Sequence, residues 1–120
     1  MRRRAAFGAF LATLAAGLVA PGAASAMTDC GGTYNICIYD NNDWSGQLGR
    51  RAPGGGVVNV SGTANDRMDS WTNGSGTNSA WYYDANGTGN CTTMAAHSSD
   101  PNINVFASDE LTSWRTNRGC

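Results

Sequence analysis

Apolar residues in this chain come in short runs, separated by segments rich in glycine, asparagine and aspartate. Four runs are prone to form β-strands: residues 35–39 (NICIY), 57–60 (VVNV), 79–83 (SAWYY) and 102–106 (NINVF). Turn-forming segments such as DNND, PGGG, NGSG and NGTG lie between them. Weak helical turns near residues 66–70 and 109–113 are the most helix that we expect. This pattern predicts an all-β domain with many short strands, a sandwich or a barrel.

The first 26 residues have the pattern of an export signal. A positive start, MRRR, precedes an apolar run, and the small residues Ala24, Ser25 and Ala26 fit a signal-peptidase site. The apolar run is shorter than the ~20 residues that a membrane-spanning helix needs. We therefore expect cleavage after Ala26 and a single secreted domain at residues 27–120.

The charge balance of residues 27–120 limits the partners. They hold five arginines, no lysine and nine acidic residues, which gives a net charge of −4. Nucleic acids and anionic membranes bind basic surfaces, so we expect neither as a partner. Aliphatic residues are few, and four tryptophans and four tyrosines supply the remaining apolar surface for a small core. The absence of lysine together with abundant alanine and arginine is typical of a GC-rich bacterial gene.

The four cysteines are an even set in a chain that we expect to be exported, which indicates two disulfides. Four cysteines allow three pairings. We favour Cys30 with Cys37 and Cys91 with Cys120, because the first two are close in sequence. Zinc binding is the alternative, but the chain lacks a CxxC pair and has a single histidine.

The chain repeats itself after 43 positions. NDRMDSW at residues 65–71 resembles SDELTSW at residues 108–114. The same shift aligns Tyr39 with Tyr82, Gly46 with Gly89, Asp66 with Asp109, Ser70 with Ser113, and Trp71 with Trp114. Such a period indicates one supersecondary unit used twice. Two units are too few for a solenoid, so we expect them to pack face to face, with Trp71 and Trp114 in a shared core.

Each unit begins with a pattern that predicts a folded hairpin. In the first, Tyr39, Trp44 and Gly46 follow the spacing aromatic, four residues, aromatic, one residue, glycine. We expect Trp44 to fold back over the hairpin and Gly46 to take a positive φ. Ser70 can then hydrogen-bond the hairpin backbone. In these residues the sequence resembles the βγ-crystallin superfamily, whose Greek-key motifs combine such a hairpin with a later structural serine.

The resemblance implies a βγ-crystallin-like sandwich of two Greek-key motifs, stapled by disulfides. Motif 1 would occupy about residues 34–75 and motif 2 about residues 77–118. In motif 2, Tyr82 and Gly89 are in place, but Gly87 stands where the second aromatic residue should be. We therefore expect a looser second hairpin.

The resemblance also implies calcium as a cofactor. Many βγ-crystallins carry N/D-N/D-x-x-S/T-S, and Ca²⁺ prefers oxygen ligands of this kind. The candidate ligands are Asn65, Asp66, Asp69 and Ser70 in the first stretch, and Asp109, Thr112 and Ser113 in the second. Asp69 replaces the usual hydroxyl and adds charge, whereas Ser108 replaces the first amide or carboxylate and removes a donor. We expect calcium to act as a stabiliser and expect no other cofactor.

The chain further resembles the microbial metalloproteinase inhibitors, a peptidase inhibitor family with a βγ-crystallin fold. The matching residues are Cys30, Cys37, Tyr39, Asp40, Gly46, Asn65, Asp66 and Ser70. The resemblance implies a secreted protease as partner and a rigid, substrate-like loop. The candidate loop is Asn90, Cys91, Thr92, Thr93 and Met94, in which Met94 would enter a protease pocket. Because Cys91 and Cys120 are 29 residues apart, no compact cysteine-bounded loop is evident, and an ordinary surface loop is the alternative.

Three functions remain open, and none of them is catalytic. His97 stands alone in a polar stretch, and Asp100 is too near to it in sequence to build a triad with Ser98 or Ser99. Our leading hypothesis is a monomeric, secreted inhibitor of peptidases, most of all metallopeptidases. The alternatives are a calcium-binding structural or stress-protective module and a small toxin-like secreted protein. Fold alone does not distinguish them.

Overall fold

Eight strands form two antiparallel sheets in the computed structural model, which describes residue 22, residues 30–31 and residues 34–120. The first half of the chain supplies β1 (Ile36–Asn41), β2 (Ser45–Arg51), β3 (Val58–Asn59) and β4 (Ser70–Asn73). The second half supplies β5 (Ser79–Asp84), β6 (Thr88–Met94), β7 (Ser98–Asp100) and β8 (Ser113–Arg115). Single 3₁₀ turns, Asn42–Trp44 and Ala85–Gly87, close the hairpins β1–β2 and β5–β6. Apart from residue 22, the expected signal peptide lies outside the described residues.

The two halves exchange one strand each. The sheet orders are β2-β1-β4-β7 and β3-β8-β5-β6, so β7 joins the sheet of the first half and β3 joins that of the second. Trp71 in β4 pairs with Asp100 in β7, and Val58 in β3 pairs with Trp114 in β8. The halves therefore cannot separate without breaking both sheets. The prediction of an all-β sandwich built from two Greek-key units is confirmed.

The larger core of the described residues lies between the sheets. Its buried members are Ile36, Ile38, Met68, Trp71, Trp81, Met94, Ile103, Ala107, Leu111 and Trp114. Trp71 and Trp114 are both in it, as the repeat predicts. A smaller cluster of Cys30, Cys37 and Tyr39 lies beside Trp44.

Both predicted disulfides are present, Cys30–Cys37 and Cys91–Cys120, so all four thiols are oxidised. Zinc binding by these cysteines is thereby excluded. None of the helices in the described part of the chain has the length and apolar character needed to cross a membrane.

Residues 102–106 do not form the strand that their composition suggests. Asp100 Oδ1 accepts the backbone N–H of Asn102 at 3.0 Å, and Asn104 Oδ1 accepts that of Phe106 at 2.9 Å. These side chains accept backbone N–H groups that would otherwise bond to a neighbouring strand, which favours a turn over a strand. Val105 and Phe106 consequently lie on the surface.

The weak helical turns expected near residues 66–70 and 109–113 are also absent from the described structure. A turn instead precedes each stretch and ends at Asp66 or Asp109, where φ is 59° and 63°. A left-handed residue stops a right-handed turn, and aspartate tolerates this conformation better than most residues.

Candidate functional site

Ser70 and Ser113 hold the two hairpins by the same pair of hydrogen bonds. Ser70 Oγ donates to the carbonyl oxygen of Asn41 at 2.6 Å and accepts the N–H of Trp44 at 3.1 Å. Ser113 Oγ donates to the carbonyl oxygen of Asp84 at 2.6 Å and accepts the N–H of Gly87 at 2.9 Å. Both hydroxyls are fully buried and already engaged with backbone. This favours an architectural role over calcium coordination for the two serines.

The second hairpin keeps the hydrogen bonds of the first although it lacks a second aromatic residue. The N–H and side chain of Trp44 fasten the first hairpin, where Trp44 Nε1 donates to the carbonyl oxygen of Trp71 at 3.1 Å. At Gly87, a Cβ would come within 2.9 Å of a methyl group of Val57. Val57, from the other half of the chain, therefore occupies the space over this hairpin. The expectation of a looser hairpin is wrong in this respect, because a neighbouring side chain replaces the missing ring.

Asn59 fastens the same hairpin from β3. Its Oδ1 accepts the N–H of Asn86 at 2.8 Å, and its Nδ2 donates to Asn86 Oδ1 at 3.2 Å. Gly46 takes a positive φ of 74°, as predicted, and Gly89 in the second hairpin takes one of 76°. The exchanged strand β3 thus carries the support that sequence reasoning missed.

The two similar stretches interlock, so that each lies against the other and against a hairpin strand. Asp66 N donates to the carbonyl oxygen of Leu111 at 2.8 Å, and Asp109 N donates to that of Met68 at 3.0 Å. Because of this exchange, the candidate calcium ligands do not group by stretch as the sequence suggested. Asp69 of the first stretch lies with Ser108 and Asp109 of the second. Asp66 instead bonds Leu111, the neighbour of Thr112.

Three carboxylates and one cation form the group around Asp69. Ser108 Oγ donates to Asp69 Oδ1, and the guanidinium of Arg67 pairs with the carboxylate of Asp40. Partial desolvation raises the pKa of Asp109, and the charge and hydrogen bond of Asp69 raise it further. The charge of Asp40 acts in the same direction, and Arg67 opposes it. The group therefore has an excess of negative charge that one arginine only partly offsets.

The chemistry of this group fits calcium, since Asp40, Asp69, Asp109 and Ser108 offer the hard oxygen donors that Ca²⁺ prefers. Their present arrangement is less complete. Among the described residues, no three acidic, histidine or cysteine side chains converge closely enough to hold a metal ion. The guanidinium of Arg67 also forms an ion pair with the carboxylate of Asp40. Asp40 becomes available to a cation only when the side chain of Arg67 leaves its carboxylate.

The segment expected to be an inhibitory loop is a strand. Residues 90–94 are the second part of β6, which lies at the edge of its sheet and pairs only with β5 among the described strands. Met94 is fully buried and belongs to the core, opposite Ser79. The structure therefore excludes the role expected for Met94, because its side chain cannot reach a protease pocket from the interior. Asn90, Thr92 and Thr93 remain exposed on this edge.

A different segment presents large apolar side chains to solvent. Val105 is 80% exposed and Phe106 is 87% exposed. They lie at the tip of residues 103–108, which we call the VF loop. Sequence reasoning assigned these residues to a strand. The useful signal was the asparagine two positions before Phe106, since it can hydrogen-bond the backbone and divert the chain into a turn.

Hydrogen bonds to backbone carbonyls hold the residues around His97. His97 is exposed, with φ of 54°, and its N–H donates to the carbonyl oxygen of Ser75 at 3.0 Å. Ser98 Oγ donates to the carbonyl oxygen of Ala95 at 2.6 Å. The hydroxyl is thus directed to backbone rather than to a base.

A comparison with protein families matches residues 23–94 to peptidase inhibitor family I36. The chain belongs to this family. The match covers more than half of the 120 residues. It includes the first motif, both hairpins and the edge strand β6, and it ends before the VF loop. Membership supports a peptidase-inhibitor role for this I36 protein.

Solved structures agree with the fold. A βγ-crystallin domain from Clostridium beijerinckii has 26% identity and a TM-score of 0.53, covering 67% of this chain and 93% of that one. A βγ-crystallin domain from Flavobacterium johnsoniae has 22% identity and a TM-score of 0.54, covering 67% and 90%. The βγ-crystallin domain of Abundant Perithecial Protein from Neurospora crassa, solved in its Ca²⁺-bound form, has 20% identity and a TM-score of 0.57, covering 71% and 89%. The I36 chain therefore has a βγ-crystallin fold. No curated protein matches it.

Proposed function

We propose that this protein is a secreted, non-catalytic inhibitor of peptidases, and that its targets are metallopeptidases. The observation that carries the proposal is the family I36 match over residues 23–94. The export pattern of residues 1–26 and the two disulfides support secretion, because disulfides persist in oxidising compartments.

The scaffold suits inhibition by a fixed surface. Strand exchange ties the two halves together, and the disulfides fasten Cys30 to β1 and Cys120 to β6. A surface that is already rigid loses little conformational entropy when it binds, so more of the contact energy appears as affinity.

A titration of a nanomolar thermolysin-like metallopeptidase with the oxidised protein tests this function. We expect activity to fall to completion near one equivalent of inhibitor. A subtilisin-like serine peptidase in parallel tests the class of target. Unchanged activity of both enzymes at micromolar protein would overturn the proposal. Inhibition of the serine enzyme alone would overturn the choice of metallopeptidases.

We propose calcium binding as a second property, on the observation that Asp40, Asp69, Ser108 and Asp109 lie together with excess negative charge. Asp69 and Asp109 would supply carboxylate oxygens, with Asp40 after release of Arg67. A bound cation would reduce the repulsion between these carboxylates and so stabilise the contact between the two halves.

A further inference from the structure

The VF loop exposes two large apolar side chains that the core does not use. Val105 and Phe106 are the most exposed large hydrophobic residues in the described part of the chain. Neighbouring residues of the same loop do contribute to the core, since Ile103 and Ala107 are only 6% and 8% exposed. The loop is thus anchored at both sides while its tip remains in water. Covering exposed apolar surface of this kind with a binding partner lowers the free energy of the system.

Hydrogen bonds fix the tip in one conformation. The carbonyl oxygen of Asn104 accepts the N–H groups of Ala107 at 2.9 Å and Ser108 at 3.0 Å, which makes one helical turn. Asn104 Oδ1 accepts the N–H of Phe106 at 2.9 Å. Phe106 and its neighbours therefore do not have to be ordered when a partner binds.

The loop is also attached to both motifs. Tyr83 Oη donates to the carbonyl oxygen of Phe106 at 3.1 Å, and the ring of Tyr83 stacks on buried Trp81 with centroids 5.6 Å apart. Ile103 N donates to the carbonyl oxygen of Asp69 at 3.0 Å. The position of Phe106 is consequently set by β5 on one side and by the first stretch on the other.

We propose that the VF loop is the inhibitory surface and that the Phe106 side chain fills an apolar substrate pocket of the target peptidase. This inference rests on the proposed function, which supplies the partner: a peptidase cleft that accepts large apolar side chains. Val105 covers the rim of the same pocket. Aromatic residues are enriched at the centres of protein interfaces, where a few anchors carry most of the affinity.

The conformation of the loop implies a particular mode of inhibition. An extended peptide can align its backbone along a cleft by strand-like pairing. Residues 104–108 form a helical turn instead, in which the N–H groups of Phe106, Ala107 and Ser108 are already bonded to Asn104. Phe106 therefore blocks the pocket as a side chain without placing its own peptide bonds for hydrolysis. The chain remains intact in the complex.

The test compares inhibition constants of the oxidised protein and three variants, using the thermolysin-like and the subtilisin-like peptidases. Phe106→Ala should weaken inhibition about 30-fold or more, the effect typical of an interface anchor. Tyr34→Ala, which removes another exposed aromatic ring, should leave the inhibition constant unchanged. Thr92→Arg, on the exposed edge of β6, should also leave it unchanged. Because Phe106 is 87% exposed, the alanine variant should keep the melting temperature of the parent.

The outcomes separate the inference from the function on which it rests. A parent protein that inhibits neither enzyme overturns the proposed function, and the inference with it. A parent that inhibits while Phe106→Ala inhibits equally well overturns the inference alone. Loss with Thr92→Arg but not with Phe106→Ala would assign the surface to β6. Mass spectrometry after prolonged incubation should find the chain uncut within residues 103–108, and cleavage there would overturn the proposed mode.

A second copy of this chain is the competing occupant of the loop. Sedimentation of the parent and of Phe106→Ala at several concentrations distinguishes the two. We expect both to be monomers. A dimer that dissociates in the alanine variant would overturn the assignment to a peptidase.

Discussion

Ser113 donates a hydrogen bond of 2.6 Å to the carbonyl oxygen of Asp84, 29 residues earlier in the chain. Ser70 makes the equivalent bond to Asn41 across the same separation and with the same length. Each serine joins the last strand of its half to the hairpin that began it. The repeated serine is therefore explained by local architecture in both halves, independently of any ligand.

Replacing these serines should destabilise the protein. Ser70→Ala or Ser113→Ala leaves a hairpin carbonyl and an N–H without their buried partner, which costs about 1–3 kcal/mol of unfolding free energy. Urea unfolding followed by tryptophan fluorescence measures the loss. Ser45→Ala, at an exposed position in β2, is the matched control and should change stability by less than about 0.5 kcal/mol. Equal stability of all three variants would contradict the role assigned to Ser70 and Ser113.

The repeat predicted the parts of the fold that depend on local spacing. Gly46 and Gly89, the buried serines and the core tryptophans follow rules that repeat within each half of the chain, so a shift of 43 positions in the sequence reveals them. Strand exchange could not be found in this way. β3 and β7 are two and three residues long, and their pairing partners lie in the other half of the chain.

The candidate sites were predicted less well because exposure depends on tertiary structure. Met94 ends a polar strand, TGNCTTM, and this composition resembles a surface loop. Its burial follows only from its place opposite Ser79 over the core. Val105 and Phe106 are the reverse case, because residues that were expected in a sheet lie in solvent. Their apolar character indicated a strand, but the side chain of Asn104 turned the backbone and left them in solvent.

The disulfide between Cys91 and Cys120 should contribute strongly to stability. It closes a loop with a sequence separation of 29, for which the chain-entropy relation gives about 3–4 kcal/mol. The double variant Cys91→Ser with Cys120→Ser should lose this amount in urea unfolding under oxidising conditions. Arg118→Ala, an exposed substitution in the same terminal segment, serves as the control and should unfold like the parent. A loss below about 1 kcal/mol would show that the bond constrains the unfolded chain little.

The raised pKa of Asp109 should make stability depend on pH in the acidic range. The folded protein retains a proton on this carboxyl at pH values where the unfolded chain has lost it. From the ordinary pKa of 3.8 up to the raised pKa, the unfolded state therefore binds fewer protons, and the free energy of unfolding falls as pH rises. The penalty persists at neutral pH, where Asp109 carries its charge beside Asp69 and Asp40.

Asp109→Asn should remove this penalty. The amide can still donate a hydrogen bond to Asp69, and asparagine tolerates the left-handed backbone at this position. At neutral pH the variant should be more stable than the parent by no more than ~0.5 kcal/mol, since the group is exposed. The difference should vanish below pH 3.8. Asp43→Asn removes a charge from another exposed, left-handed aspartate and should not reproduce this pH dependence. A variant of Asp109 that is less stable at neutral pH would contradict the prediction.

Calcium should stabilise the protein if the group around Asp69 binds it. With ~2 mM Ca²⁺ and a dissociation constant of ~0.1 mM, at the strong end of the range for extracellular modules, linkage adds about 1.8 kcal/mol of unfolding free energy. Thermal unfolding with and without the ion measures the gain. Asp69→Asn should reduce it sharply, because this substitution removes the carboxylate that lies beside both Ser108 and Asp109.

Arg67 provides the sharpest test of the same site, because its guanidinium now pairs with the carboxylate of Asp40. A calcium ion that uses Asp40 must displace this side chain, so Arg67→Ala should bind Ca²⁺ more tightly than the parent in calorimetry. Arg115→Ala is the matched control, since it removes a partly exposed arginine that bonds to Asn117 instead. Equal affinities in the parent and both arginine variants would show that Arg67 does not compete. Weaker binding after Arg67→Ala would contradict this site, because removing a cation that lies beside the bound ion can only strengthen the attraction of the remaining carboxylates for calcium.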